Sequence, residues 1–265
     1  MPVTDYHIHI GQFNEIYYDA QEVFAVIESV RGQTGISRVL FSSTSSCRDD
    51  VELRLVEEEI AYALANTPRP LVAEPYLWFV PRYAEQGISV QSAVRAFDYC
   101  GIKLHPYAQK WNESNMVHAA ALHQVFRWAS DNDKPILIHC GSQPCDAPAR
   151  FLLFFREYPA ARVILAHSNP MRETSELVNA YKNIFCDTAC VSRKSLRKLV
   201  SLVHDRTKIL FGSDFPITHY WNTHLFEKTW TLAEEYAHDC APRHAIFPPP
   251  ARPSYKLRSP SSERL

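Results

Sequence analysis

Eight short apolar runs, each closed by turn-forming or polar residues, punctuate the chain at fairly even spacing, with amphipathic stretches between them. They span 3–9 (VTDYHIH), 36–43 (ISRVLFSS), 71–79 (LVAEPYLWF), 100–105 (CGIKLH), 135–140 (PILIHC), 161–167 (ARVILAH), 183–188 (NIFCDT) and 207–213 (TKILFGS). Between them, apolar residues recur at helical spacing: Val23, Ile27 and Val30; Leu53, Val56 and Ile60; Leu122, Val125, Phe126 and Ala129; and finally Phe226, Trp230 and Ala233. Asp146, followed by Ala147 and Pro148, reads as an N-cap and first helical turn before FLLFF. The runs are too apolar for one sheet face to meet water, so they predict parallel strands covered on both sides. Eight strand and helix pairs favour a closed (β/α)8 barrel over the runner-up, an open doubly wound sheet.

The ends of these runs carry the chemistry. Run 1 finishes in His7-Ile8-His9, run 4 in Lys103-Leu104-His105, run 5 in His139 and run 6 in His167, while run 8 leads straight into Asp214. In a parallel barrel all of these ends share the C-terminal face, where such barrels build active sites. Side chains alternate along a strand, so His7 goes with His9, Lys103 with His105, Leu137 with His139, Leu165 with His167, and Gly212 with Asp214. One histidine at a strand end is more often a satisfied polar residue than a ligand. His7, His9, His139 and His167 together with Asp214 reverse that reading. Imidazoles and one carboxylate, without thiolates, match a catalytic Zn²⁺, Mn²⁺ or Fe²⁺ site with a position open to water. Asp5 reads either as a group orienting an imidazole or as a buried hydrogen-bonded aspartate. Asp187, Trp78, Tyr107 and Trp111 are candidates for the mouth, with packing the plainer role for the aromatics. The remaining histidines have no convergent partners in sequence.

Composition removes competing classes. Lys and Arg number 28 against 29 Asp and Glu, a net charge of −1, which lacks the basic excess used to grip phosphate backbones. Neither a G-x-G-x-x-G nor a P-loop pattern occurs, and no G-x-S-x-G elbow supports serine hydrolase chemistry. Seven cysteines, odd in number and without a C-x-x-C pair, read as reduced, buried small hydrophobes. No run approaches the roughly 18 apolar residues of a membrane span and no secretory leader is evident, so a cytoplasmic protein without membrane partners is expected. Residues 241–265 differ from the rest: they hold six of the 18 prolines and five basic residues against one acid. The first 240 residues then carry 23 basic and 28 acidic side chains. A barrel over 1–240 and an irregular Pro/Arg-rich tail over 241–265 are the expected domains.

The segments DYHIH, GIKLHP, ILIHCG, VILAHS and LFGSDFP, spread over residues 5–216, together resemble the amidohydrolase superfamily. Within it the chain is similar to the TIM-barrel metal-dependent hydrolases whose branch also contains mononuclear decarboxylases. Each motif is weak alone and specific in combination. The resemblance implies that His7, His9, His139 and Asp214 hold one divalent metal, Zn²⁺ by preference, with His167 near the reacting group. It also marks two departures: Ser168-Asn169-Pro170 where relatives commonly carry a glycine, and no Asn-Ala-x-x-Leu-like segment after Asp239.

The expected activity is hydrolysis of an amide, ester or lactone of a small molecule by metal-activated water, since a bound divalent ion lowers the pKa of water towards ~7. Asp214 would ligate the metal and shuttle the proton, and His167 would polarise the carbonyl or stabilise the oxyanion. Lys103 with His105 would bind a substrate carboxylate. The alternative for Lys103 is carboxylation, which would bridge a second metal held by His139 and His167. Two other functions stand beside hydrolysis: decarboxylation of an aromatic or unsaturated acid, and a barrel that binds metal without turnover. A homodimer is left open.

Overall fold

The computed structural model describes residues 3–217, with strands and helices alternating throughout. The strands are β1 (Val3–Phe13), β2 (Ile16–Tyr18), β3 (Ile36–Ser43), β4 (Val72–Trp78), β5 (Gly101–Leu104), β6 (Ile136–Ile138), β7 (Val163–Leu165), β8 (Ile184–Asp187) and β9 (Ile209–Leu210). Each of the eight anticipated runs coincides with one of them, although β1 continues past run 1 to Phe13. The addition is β2, which turns back antiparallel on the end of β1, pairing Tyr18 with Gly11.

From β1 and β3 onwards each strand lies parallel to the next in sequence order, and a parallel bridge between Ile8 and Phe215 returns the sheet to its start. Three backbone hydrogen bonds make that closure: Tyr6 N to the Phe211 carbonyl (2.9 Å), Asp214 N to the His7 carbonyl (2.7 Å) and His9 N to the Phe215 carbonyl (2.7 Å). The architecture is a (β/α)8 TIM barrel.

Helices fill the connections: α1 (Ala20–Ser29) and α2 (Arg31–Thr34), α3 (Leu53–Ala65), α4 (Pro81–Glu85) and α5 (Val90–Ala93), α6 (Pro106–Gln109) and α7 (Met116–Asn132), α8 (Leu152–Glu157), α9 (Met171–Ala180) and α10 (Arg193–Leu202). Local chemistry sets their limits. Asp19 accepts from the amides of Gln21 and Glu22 to start α1, which buries Val23, Phe24 and Ile27. Asn115 caps α7, whose Leu122, Val125, Phe126 and Ala129 are buried, and Asp133 in the left-handed region ends it. Asp146 is not the cap expected before FLLFF. A 3₁₀ turn over Pro148–Phe151 follows Ala147 without any side-chain cap, and the Asp146 carboxylate folds back to accept from Gln143 N at 2.8 Å.

Side-chain alternation divides the strands between two cores. On β5, β6 and β7, Ile102, Leu104, Ile136, Ile138, Val163 and Leu165 join the large outer core under the helices. Leu40, Tyr76, Leu137 and Ile164 fill the barrel interior. This double burial is why the strands read as continuous apolar runs. It also aims the inward positions of the strand ends at one opening.

Cys47, Cys100, Cys140, Cys145, Cys186 and Cys190 form no disulfide; Cys100, Cys140 and Cys186 are buried, whereas Cys190 is exposed, against the expectation of burial. Among the described residues no helix is long and apolar enough to cross a membrane. The anticipated stripe of Phe226, Trp230 and Ala233, Cys240, and the 241–265 segment lie outside the described residues.

Candidate metal centre

The C-terminal ends of the strands open on a cleft of about 900 Å³, lined among others by His7, His9, Lys103, His105, His139, His167 and Asp214. How each residue reaches it differs. His139 and Lys103 follow plain alternation, because Leu137 points into the barrel and Lys103 lies between the outward Ile102 and Leu104. His7 needs more. Tyr6 packs on the interior core, so strict alternation would send His7 outward, but β1 shifts register against β3 between Asp5 and Ile8. That irregularity turns both His7 and His9 into the mouth. His167 also departs from strict alternation: Leu165 faces outward, and His167 reaches the cleft through a left-handed backbone (φ 67°) in a 3₁₀ turn after β7. Asp214 likewise sits beyond its strand, at φ 58°.

His7, His9 and Asp214 offer ligand atoms that all lie within 4.8 Å of one another, and all three residues are buried. His9 Nε2 is 3.0 Å and His7 Nε2 3.4 Å from Asp214 Oδ1. Each imidazole is fixed from behind. His7 Nδ1 donates to Asp187 Oδ2 at 2.8 Å, and His9 Nδ1 meets the Ser42 hydroxyl at 3.0 Å. A carboxylate only accepts, so Asp187 puts the proton of His7 on Nδ1 and leaves the Nε2 lone pair facing the cleft. Burial, reinforced for His7 by Lys103, pushes the pKa of both imidazoles down and favours their neutral, ligating form. Burial alone would raise Asp214, but the His9 hydrogen bond and the neighbouring His7 and His167 hold its carboxyl well below the usual range.

The other wall is cationic and flat. Lys103 Nζ is fully buried, 3.0 Å from His7 Nε2 and 5.7 Å from the centre of the Trp78 ring. Burial lowers its pKa, opposed by Asp214 and Asp187. His105 stacks between Trp78 (5.8 Å, 6° between planes) and His139 (3.7 Å, 12°), and its Nδ1 accepts from Ala108 N at the start of α6. His139 does not join the compact His7, His9 and Asp214 group. Its Nδ1 lies 3.0 Å from His167 Nε2, and its Nε2 is 3.9 Å from Asp146 Oδ2.

The amidohydrolase family model matches residues 4–248, nearly the whole chain and every residue of this cluster. The chain belongs to the amidohydrolase family. No curated protein matches it. Among solved structures, the chain is similar to 2,6-dihydroxybenzoate decarboxylase from Rhizobium (TM-score 0.57, 14% identity, covering 90% of this chain and 92% of that one). It is similar as well to 5-carboxyvanillate decarboxylase from Sphingomonas paucimobilis (TM-score 0.54, 12% identity, covering 82% and 89%). At such identities the likeness is one of fold.

Enzymes of this family generally depend on a divalent metal, and the amidohydrolase centre suits one: two neutral imidazole nitrogens and a carboxylate oxygen converge, each imidazole held from behind. Lys103 occupies the same His7 nitrogen that a cation would use, so it must give up that contact when the site is filled. Two contributors have no motif in the sequence. Ser42 supports His9 from β3. Asp187 orients His7, and Asp5 is the buried, hydrogen-bonded aspartate of its two readings, its Oδ1 accepting from the backbone amides of His7 and Ser213, both at 3.1 Å. The signal for Asp187 was its place at the end of run 7. Gly212 leaves room for His7 and Asp187: a Cβ there would stand 3.0 Å from His7 Cβ and 3.1 Å from Asp187 Oδ2.

Proposed function

We propose that this member of the amidohydrolase family is a metal-dependent lyase that removes the carboxylate of a small aromatic or otherwise unsaturated acid as CO₂. The carrying observation is Lys103: a buried ammonium beside the His7, His9 and Asp214 cluster, against the Trp78 ring. Among the described residues Lys103 Nζ makes no ion pair with a carboxylate, which suits an anionic substrate, and the stack of Trp78, His105 and His139 suits a planar one. The two decarboxylases of similar fold are named for aromatic acids, which supports the same choice.

The residues divide the work as follows. Lys103, released from His7, holds the carboxylate, and the ring stack sets the plane of the substrate. A divalent ion held by His7, His9 and Asp214 would supply Lewis-acid polarisation of a substrate oxygen. The electron pair of the breaking carbon–carbon bond stays on the substrate carbon and takes up one proton, so one acid anion and one proton give CO₂ and the protonated product. Asp214 is the group placed to hold that proton. Its carboxyl is strongly ionised at rest, and a second negative charge arriving beside it raises its proton affinity.

Hydrolysis uses the same carboxylate in the opposite sense, as a base towards water, and the ionised state of Asp214 favours that second reading. Purified protein loaded with Zn²⁺ or Mn²⁺, offered carboxylated aromatic and unsaturated acids beside esters, amides and lactones, separates the two. CO₂ release that is lost in Asp214→Asn and strongly reduced in Lys103→Met is expected. Turnover of only the esters, amides or lactones would establish the hydrolase.

A further inference from the structure

His167, Cys190 and Asp214 form a second group whose ligand atoms lie within 4.8 Å of one another. Cys190 Sγ donates to Asp214 Oδ2 at 3.2 Å, while Asp214 Oδ1 faces His9 and His7. The two oxygens of one carboxylate therefore point at two different ligand sets. We propose that the chain binds a second cation between His167, Cys190 and Asp214, with the Asp214 carboxylate shared between the two positions.

Several independent features place these groups. The turn that carries Cys190 is tied to the segment that carries Asp214: Thr188 N donates to the Leu210 carbonyl (3.1 Å), and the Thr188 hydroxyl exchanges hydrogen bonds with the carbonyl (3.2 Å) and amide (3.1 Å) of Gly212. All three ligand-bearing residues have left-handed backbones, φ 67° at His167, 59° at Cys190 and 58° at Asp214. For non-glycine residues that conformation is costly and clusters at functional sites. His167 Nδ1 is buried without a hydrogen-bond partner, whereas Nε2 meets His139 Nδ1. In the tautomer that donates through Nε2, Nδ1 carries a buried lone pair with no donor opposite it.

The donor set predicts the cation. A thiolate with an imidazole and a shared carboxylate favours Zn²⁺ or Co²⁺ over Mg²⁺ or Mn²⁺. It differs from a pair bridged by carboxylated Lys103, because Cys190 is essential and Lys103 is not. The inference rests on the first cation position at Asp214 but not on decarboxylation.

The test is metal content and spectrum of the full-length protein, stripped and reloaded with Co²⁺ or Zn²⁺. Wild type should hold two equivalents and, with Co²⁺, show a near-ultraviolet thiolate-to-metal charge-transfer band. Cys190→Ser, an exposed position, should hold one equivalent and lose the band. Lys103→Met should keep both. One equivalent and no band in wild type would overturn the proposal, as would two equivalents retained in Cys190→Ser or a second equivalent lost only in Lys103→Met. Absence of CO₂ release from every acid would defeat the lyase reading and leave this count unchanged.

Discussion

Which nitrogen His7 offers to the cleft is decided by Asp187, a fully buried residue outside the cleft lining. Its carboxylate accepts from His7 Nδ1 (2.8 Å) and from the backbone amides of His167 (2.7 Å) and Ala189 (3.1 Å), so it sets a tautomer and pins the turn that aims a second histidine. Ser42 behaves differently behind His9, because a hydroxyl can donate or accept and follows whichever tautomer His9 adopts. Asp187→Asn keeps the size but removes the charge and one acceptor oxygen. Its Zn²⁺ affinity, measured by competition with a chelating dye, should fall by about 10–100-fold. Ser42→Ala should weaken binding less, since the imidazole keeps either tautomer. Equal affinity in Asp187→Asn and wild type would remove Asp187 from the centre.

At the level of elements, the closeness of β1, β8 and the segment after β9 depends on a missing side chain. A Cβ at Gly212 would meet His7 Cβ at 3.0 Å and Asp187 Cβ at 3.2 Å, both anchored by backbone rather than able to swing away. Gly212→Ala should therefore cost about 1–3 kcal/mol in urea denaturation, as overpacking does. Gly32→Ala in α2, where nothing lies within 4 Å, should be neutral or stabilise by about 0.4–1 kcal/mol. A Gly212→Ala protein as stable as wild type would show that the strand ends have slack. Elements were also what the sequence displayed best. Apolar runs marked all eight barrel strands because double burial leaves no polar face to hide them, and helix faces such as Leu122, Val125, Phe126 and Ala129 were legible from spacing alone. The aim of individual side chains was less so. Alternation carries His139, Lys103 and, between the outward Ile8 and Ile10, His7 and His9 to the mouth, but the register shift that sets their phase against Tyr6 and the left-handed turn that brings His167 are a different matter. Neither irregularity leaves a periodic trace, and the Asp146 carboxylate was misread because a hydrogen bond back to Gln143 competes with capping.

For the whole molecule, the cation position does what backbone pairing does less strongly at the same seam. His7 and His9 lie on the first strand and Asp214 follows the last, and among the described residues the seam between them shows the bridge of Ile8 to Phe215 with three backbone hydrogen bonds around it. A ligand that binds only the closed barrel adds RT ln(1 + [L]/Kd), about 2.7 kcal/mol at a hundredfold excess over Kd. For a barrel of this size 1 kcal/mol moves Tm by roughly 2–4 °C. Stripping the protein with EDTA should then lower Tm by about 5–10 °C, and returning Zn²⁺ should restore it. Asp187→Asn should show a smaller shift at the same free Zn²⁺, because its affinity is lower. The double variant His7→Asn, His9→Asn should keep only the part of the shift that a cation at His167, Cys190 and Asp214 contributes. The contrast separates closure by the cation from general salt effects, since a shift of equal size in all three proteins would mean that the ion acts elsewhere than between the first and last strands.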